Sequence, residues 1–182
     1  QGPREAITMW YPASVAAPAS EPVTLTQAKA QLRVDHSDDD TLITSLIKAA
    51  RAHIEAACAA RFSARTGVSF KCDGFSDLAR IPEAPVSSIT SITYIDATGA
   101  SQTLASTVYE VRADGLDVGI VLKTDQTWPT TQSGSRVTVT AAIGYSTAPD
   151  DICHALLMLI AHWYENRATV NVGNITSELP FA

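Results

Sequence analysis

The stretch ICHALLMLIAHWYENR, residues 152–167, decides how this chain folds. It gathers two of the four histidines, one of the three cysteines and a Trp-Tyr pair around an unbroken apolar run. Ala148-Pro149-Asp150-Asp151 stand before it. Proline and acidic residues suit the first turn of a helix, where the N–H groups are unsatisfied and the dipole end is positive. Residues 156–160 are apolar on every side, which predicts a helix over 148–168, central and buried on most of its surface. The histidines invite a metal or catalytic reading. However, His154 and His162 are offset by about 80° around such a helix, poor geometry for holding one ion. No HExxH motif accompanies them. Histidines on a buried helix are more often satisfied core or interface groups, and His162 with Glu165 has the spacing of an ordinary helix-surface pair.

Working outward, the next clear helix lies toward the N-terminus. Leu42, Ile43, Leu46, Ile47, Ala50, Ile54, Ala57 and Cys58 recur at three- and four-residue steps, the pattern of one helical face. Ser37 or Asp38 is the expected N-cap, and Asp38, Asp39 and Asp40 place negative charge at the positive dipole end. Arg51, His53 and Arg61 gather toward the other end. The aspartates lack the spaced ligands, central glycine and closing glutamate of a calcium loop. Before them, TLTQAKAQLRV carries a capping-box signal, with Thr24 at the N-cap and Gln27 three residues on. Leu25, Ala28 and Leu32 line one face of this short helix.

From Thr66 to Tyr145 the period changes to two. VSSITSITYID, ASQTLA, STVYEVRADG, GIVLK and SRVTVTAAIGY read as strands, with turns at Asp96–Gly99 and around Asp114-Gly115. Val137, Val139, Ala141 and Ile143 fall on one side of the last of them. No helical crossover separates these strands, so the sheet is antiparallel. The chain therefore reads as an α+β protein, with a three-helix core and an antiparallel β-sheet domain inserted between the second and third helices. The parts are an extended N-terminal arm (9–23), a helical part (24–62), the β insertion (63–147), the core helix (148–168) and a C-terminal arm (169–182). Residues 1–8 read as a purification-tag remnant or upstream sequence, because Gln1-Gly2 resembles a protease scar and Met9 is a candidate initiator.

Composition narrows the function. Thirteen basic against nineteen acidic residues give a net charge of −6, which supplies no broad field for DNA or an anionic membrane. No apolar run approaches the ~20 residues that span a bilayer. The odd count of three cysteines, without CxxC spacing, argues for free thiols in a reducing compartment. Cys58 and Cys153 lie in helical apolar patterns and are expected to be buried; Cys72 lies in a strand. Gly144, Ser146 and Ala148 form a G-x-S-x-A stretch that resembles a nucleophile elbow. A serine hydrolase using Ser146 with His154 or His162 is thus one competing reading, and a small soluble ligand-binding module is another. A plain connecting turn suits the serine better, because the sheet is antiparallel and the later histidines lie inside the next helix. There is no phosphate loop and no paired cysteine ligand set. No catalytic, cofactor or metal residues are assigned.

Four segments in order carry a family likeness: EPVTLTQAKAQLRVD, DDDTLITSLIKAARAHIEAACAARF, PDDICHALLMLIAHWYENRATV and ELPF. Together they resemble the head–tail connector, or adaptor, proteins of tailed bacteriophages, prophages and gene-transfer agents. The resemblance implies a non-enzymatic subunit of the virion neck, assembled in the bacterial host cytoplasm. It implies a ring of copies under the portal protein, a dodecamer on the particle, that extends the DNA channel and docks the next neck, stopper or tail protein. DNA would pass through without sequence-specific binding, and an acidic surface suits such a passage. The family's AHWYENR and ELPF segments match Ala161 to Arg167 and Glu178 to Phe181. The resemblance therefore points to Trp163, Tyr164, Arg167, Glu178, Leu179, Pro180 and Phe181 as residues that meet the portal or a neighbouring subunit. Trp, Tyr and Arg are also the types favoured at interface hot spots.

Overall fold

The structure, a computed structural model, describes residues 10–14 and 17–166. The elements are β1 (Trp10–Ser14), α1 (Leu25–Leu32), α2 (Asp40–Cys58), β2 (Arg65–Cys72), a 3-10 helix (Phe75–Ala79), β3 (Val86–Ile95), β4 (Ser101–Thr103), β5 (Tyr109–Asp114), β6 (Asp117–Leu122), β7 (Val137–Ile143) and α3 (Asp150–Glu165). The architecture is α+β, with three helices and most of the antiparallel strands between α2 and α3.

An eight-residue helix is marginal by itself, so α1 depends on its ends and its neighbours. Its capping box is complete: Gln27 N donates to Thr24 Oγ1 at 3.2 Å, and Thr24 N donates to Gln27 Oε1 at 2.8 Å. Lys29 Nζ then donates to the His36 carbonyl at 2.7 Å and to Asp40 at 2.6 Å, which fixes the turn into α2. The N-cap of α2 is Asp39, one residue beyond the expected Ser37 or Asp38, and its side chain makes no capping bond. That carboxylate instead accepts from the Tyr164 hydroxyl at the far end of α3.

Val23, Ala28, Ile43, Ile47, Ala50, Leu156 and Ile160 form the helical core. Two expectations fail here. The apolar stripe of α2 does not run on to its end, because Ala57 and Cys58 are exposed and Glu55 turns inward instead. The third helix is buried on one side only: Leu156 and Ile160 are enclosed, His154 and Ala155 face solvent, and Met158 is 47% exposed. Among the described residues three helices have too few neighbours to cover a helix on all sides, so α3 flanks the core.

The main sheet has the order β1-β2-β7-β3-β4, every neighbouring pair antiparallel. Val68, Phe70, Cys72, Ile92, Val137, Val139, Ala141 and Ile143 form its buried face. Phe75 and Leu78 of the 3-10 helix join the same core, as do Tyr109, Val118 and Ile120 of the β5–β6 hairpin. The hairpin approaches so closely that a Cβ on Gly119 would lie 2.2 Å from the Ala79 carbonyl oxygen. On the other face hydroxyl side chains recur beside one lysine. Ser69, Thr140 and Ser91 are register partners in one row, and Lys71, Thr138 and Thr93 in the next.

Of the arm expected over 9–23, residues 10–14 are extended and docked. Residues 10–14 form the edge strand β1, with Trp10 opposite Cys72 and Tyr11 opposite Lys71. Trp10 meets Phe70 edge-on, ring centroids 6.2 Å apart. Further on, Ala19 N donates to the Ala64 carbonyl at 3.0 Å and Val23 is fully buried. The helical and β cores meet at a small cluster of Ala60, Phe62 and Ala148, where Phe62 and Tyr145 stack. Gly144 makes this junction possible: its φ is +89°, and a Cβ there would lie 2.2 Å from the Ser63 carbonyl oxygen.

The β3–β4 turn is held by one carboxylate. Asp96 accepts from the Thr98 hydroxyl at 2.6 Å, Gln102 Nε2 at 2.9 Å, and the Ala100 and Thr98 N–H groups at 3.0 and 2.8 Å. These bonds, the Thr98 side chain first, lower its pKa to about 2. A depressed carboxylate stabilises the fold above its unfolded value of roughly 3.9, and the contribution vanishes as the pH falls through the folded value. Asp96→Asn is therefore expected to melt below the wild type at neutral pH. Melting curves should show the gap constant above about pH 5 and shrinking toward pH 2; a pH-independent gap would refute this role.

Candidate docking surface and the junction behind it

The residues singled out from the sequence converge on the C-terminal end of α3. Trp163 and Tyr164 are both half-buried and both reach α2. Trp163 meets His53 edge-on, ring centroids 5.8 Å apart, and Tyr164 donates to Asp39. The end of the helix closes on Asn166, whose N–H and Nδ2 both donate to the His162 carbonyl, at 2.9 and 3.0 Å. Asn166 Nδ2 also lies 3.3 Å from His162 Nδ1, so the side chain beside His162 is Asn166, where Glu165 was expected. Arg167, Glu178, Leu179, Pro180 and Phe181 lie outside the described residues. What the structure does define is the platform from which they leave: a helix end anchored by an aromatic contact and a hydrogen bond.

The competing catalytic residues are not brought together. Ser146 is exposed at the rim of a recess of about 170 Å³. Its walls include Glu21, Ser63, Phe62, Tyr145 and Thr147, and no histidine lines it. His154 is exposed on α3, and His162 is engaged with Asn166. The aspartates before α2 are likewise committed, Asp40 to Lys29 and Asp39 to Tyr164. Among the described residues no three His, Cys, Asp or Glu side chains cluster as a metal site.

The charged residues that matter most were not singled out. Glu55 is 2% exposed, at the point where α2 turns into the β region. Its Oε1 accepts from the Phe62 N–H at 3.0 Å; its Oε2 accepts from Arg65 at 2.5 Å and Arg51 at 2.9 Å. Arg61 approaches the same oxygen at 3.7 Å and forms a two-pronged pair with Glu83, both contacts 2.6 Å. Arg51 also donates to Glu21 at 2.7 Å. The Arg61 guanidinium is held above its usual pKa chiefly by the Glu83 hydrogen bond, so it stays charged. For Arg51 burial opposes the charge, and the contacts with Glu21 and Glu55 outweigh it. The sequence does contain a signal: Arg51 and Glu55 have helix-pair spacing, next to core positions Ala50 and Ile54. A glutamate on that flank needs cations around it.

The thiols expected to be buried on the helices are not fully enclosed. Cys72 is buried, and burial, helped by Asp77 and Asp73, raises its pKa to about 12. Cys153 is partly covered, with its pKa raised chiefly by burial. Cys58 is exposed, because the last turn of α2 rotates past the core.

Comparison with known proteins fits this architecture. The head completion protein family matches over residues 22–175, and the chain belongs to that family. Among solved structures, subunits in the neck of an empty gene transfer agent particle and in the virion of a native one are similar in fold. Each is 21% identical, with a TM-score of 0.71 over 95% of this chain and 90% of the other. A neck structure of the native particle computed with C12 symmetry matches with a TM-score of 0.62 at 20% identity, over 95% of this chain and 89% of the other. A search of curated protein sequences finds no match.

Two outcomes follow. Glu55→Ala leaves the buried Arg65 guanidinium without its carboxylate and should cost about 3–5 kcal/mol in urea unfolding; a loss below about 1 kcal/mol would show that the network is dispensable. A native-state maleimide titration at pH 8 should modify Cys58 rapidly and Cys72 only after denaturation. Fast labelling of Cys72 would contradict its burial.

Proposed function

We propose that this chain is a structural, non-enzymatic subunit of a virion neck. In this reading its copies form a ring under the portal protein, dodecameric on the particle, through which DNA passes without sequence-specific contacts. The ring then docks the next neck, stopper or tail protein. The supporting observation is membership of the head completion family over 22–175, joined to a likeness in fold with gene transfer agent neck subunits along 95% of the chain. The physical design is compatible: two cores locked by a buried ionic junction make a stiff body, and a ring under the pressure of packaged DNA needs stiff bodies. The proposed portal contact is the end of α3 and the segment beyond it, with Trp163, Tyr164, Arg167 and Glu178 to Phe181. Trp163 and Tyr164 would act there as much by fixing where the segment departs as by direct contact. The net charge of −6 suits a passage that DNA must leave without sticking.

The experiment is to mix the chain with its cognate portal and image the product. A ring of density seated on the portal is expected; bare portals under saturating protein would overturn the reading. Removing residues 168–182 should abolish portal binding while circular dichroism shows nearly unchanged helix content. A truncated chain that binds normally would place the contact elsewhere, and one that unfolds would make the segment part of the core.

A further inference from the structure

Two surface features of the β region complement one another. The first is the tip of the β5–β6 hairpin. Its inner side, Tyr109, Val118 and Ile120, is buried on the sheet, whereas residues 110–117 are exposed throughout. Three large hydrophobic residues are exposed among the described ones, and two of them are here: Val111 at 41% and Leu116 at 52%. Leu116 stands at the turn between Asp114 and Asp117, which close the hairpin as register partners. The ion pairs nearby, Arg80 with Asp117 at 3.6 Å and Arg112 with Glu110 at 3.7 Å, are long and solvent-exposed, so they hold these groups weakly.

The second feature is a groove of about 370 Å³ at the outer face of the five-stranded sheet, lined by Lys71, Arg136, Thr93, Thr138, Ser101 and Ser135. Arg136 lies over the Tyr11 ring at 3.8 Å and within 3.5 Å of Asp73. Lys71 is exposed and enters none of the ion pairs among the described residues. Ile95 adds an apolar wall. A cationic, hydroxyl-lined groove without an acidic lining residue is unusual on a chain of net charge −6.

The hairpin packs on one face of the sheet and Lys71 stands on the other. Two different, complementary patches are what a head-to-tail contact between identical subunits requires, and such contacts make a ring when the rotation between copies closes. We propose that the hairpin tip of one copy seats in the Lys71–Arg136 groove of the next. Leu116 lies against Ile95, while Asp114 and Asp117 face Lys71 and Arg136. The occupant is a second copy of this chain because the acidic tip and the basic groove belong to the same sequence, neither can reach the other within one molecule, and the proposed function supplies a ring. The contact rests on that ring reading and specifies which surfaces make it.

Charge reversal on cognate portals tests it. Rings on portals are counted by electron microscopy across a protein titration for the wild type, Lys71→Glu, Asp114→Lys and the double variant. Each single reversal should raise the half-saturating concentration at least about tenfold, and the double variant, with both charges exchanged, should recover most of that loss. Single variants that assemble like the wild type, or a double variant no better than the singles, would overturn the contact while leaving the ring standing. A wild-type chain that forms no ring would overturn both. As an independent measurement, Leu116→Cys with Thr93→Cys in a Cys58→Ser background should give disulfide-linked oligomers from oxidised portal-bound rings. Monomers alone on the denaturing gel would overturn the contact.

Discussion

The structure turns on the carboxylate of Glu55. It is buried at the end of α2, where the chain leaves the helices and enters the sheet, and it accepts hydrogen bonds from the Phe62 N–H, Arg51 and Arg65. The apolar contact between the two cores is small, centred on Ala60, Phe62 and Ala148. Hydrophobic burial is non-directional, and so little of it would leave the angle between the cores loosely defined. A buried carboxylate met by oriented guanidiniums is directional. Glu21, Glu55 and Glu83 balance Arg51, Arg61 and Arg65, so the junction is neutral as a whole. Ion pairs of this kind add little net stability compared with well-packed apolar side chains. Their contribution here is geometry: they draw the N-terminal segment, α2, β2 and the loop before β3 to one point.

That geometry gives meaning to the ends of the fold. α3 begins just after Gly144, at the junction, and finishes where Tyr164 reaches Asp39. A force applied beyond Asn166 is therefore passed along one helix into both cores. The outer sheet face and the hairpin tip lie on the β side of the same junction. The surfaces on the two sides are thereby held at fixed mutual angles by one ionic knot.

Much of this was legible in the sequence. The Thr24–Gln27 capping box, the stripe Ile43-Ile47-Ala50 and the alternation Val137-Val139-Ala141-Ile143 are local patterns with local causes, and each appears as read. The departures share a physical source, which is that they depend on partners distant in sequence. The pairing of Trp10–Ser14 with β2 cannot be seen in a segment rich in proline and alanine. Glu55 is buried where Arg61 and Arg65 come back to meet it. The apolar composition of α3 suggested enclosure on all sides, yet Met158 is open because no fourth helix exists among the described residues to cover it. Of the candidate site, the sequence indicated the end of α3 through its aromatic pair. The groove at Lys71 and Arg136 combines residues from strands far apart in the chain, and no local pattern announces it.

The order of strands also governs when this protein can exist. β7 lies at the centre of the sheet, between β2 and β3, and among the described strands it is the last to be synthesised. Until Val137–Ile143 has left the ribosome, β2 and β3 have no partner between them and their apolar faces stay open. The sheet is a lock whose bolt arrives after the parts it joins, so folding of the β region waits until β7 has emerged. A nascent chain thus has no finished sheet surface to offer prematurely.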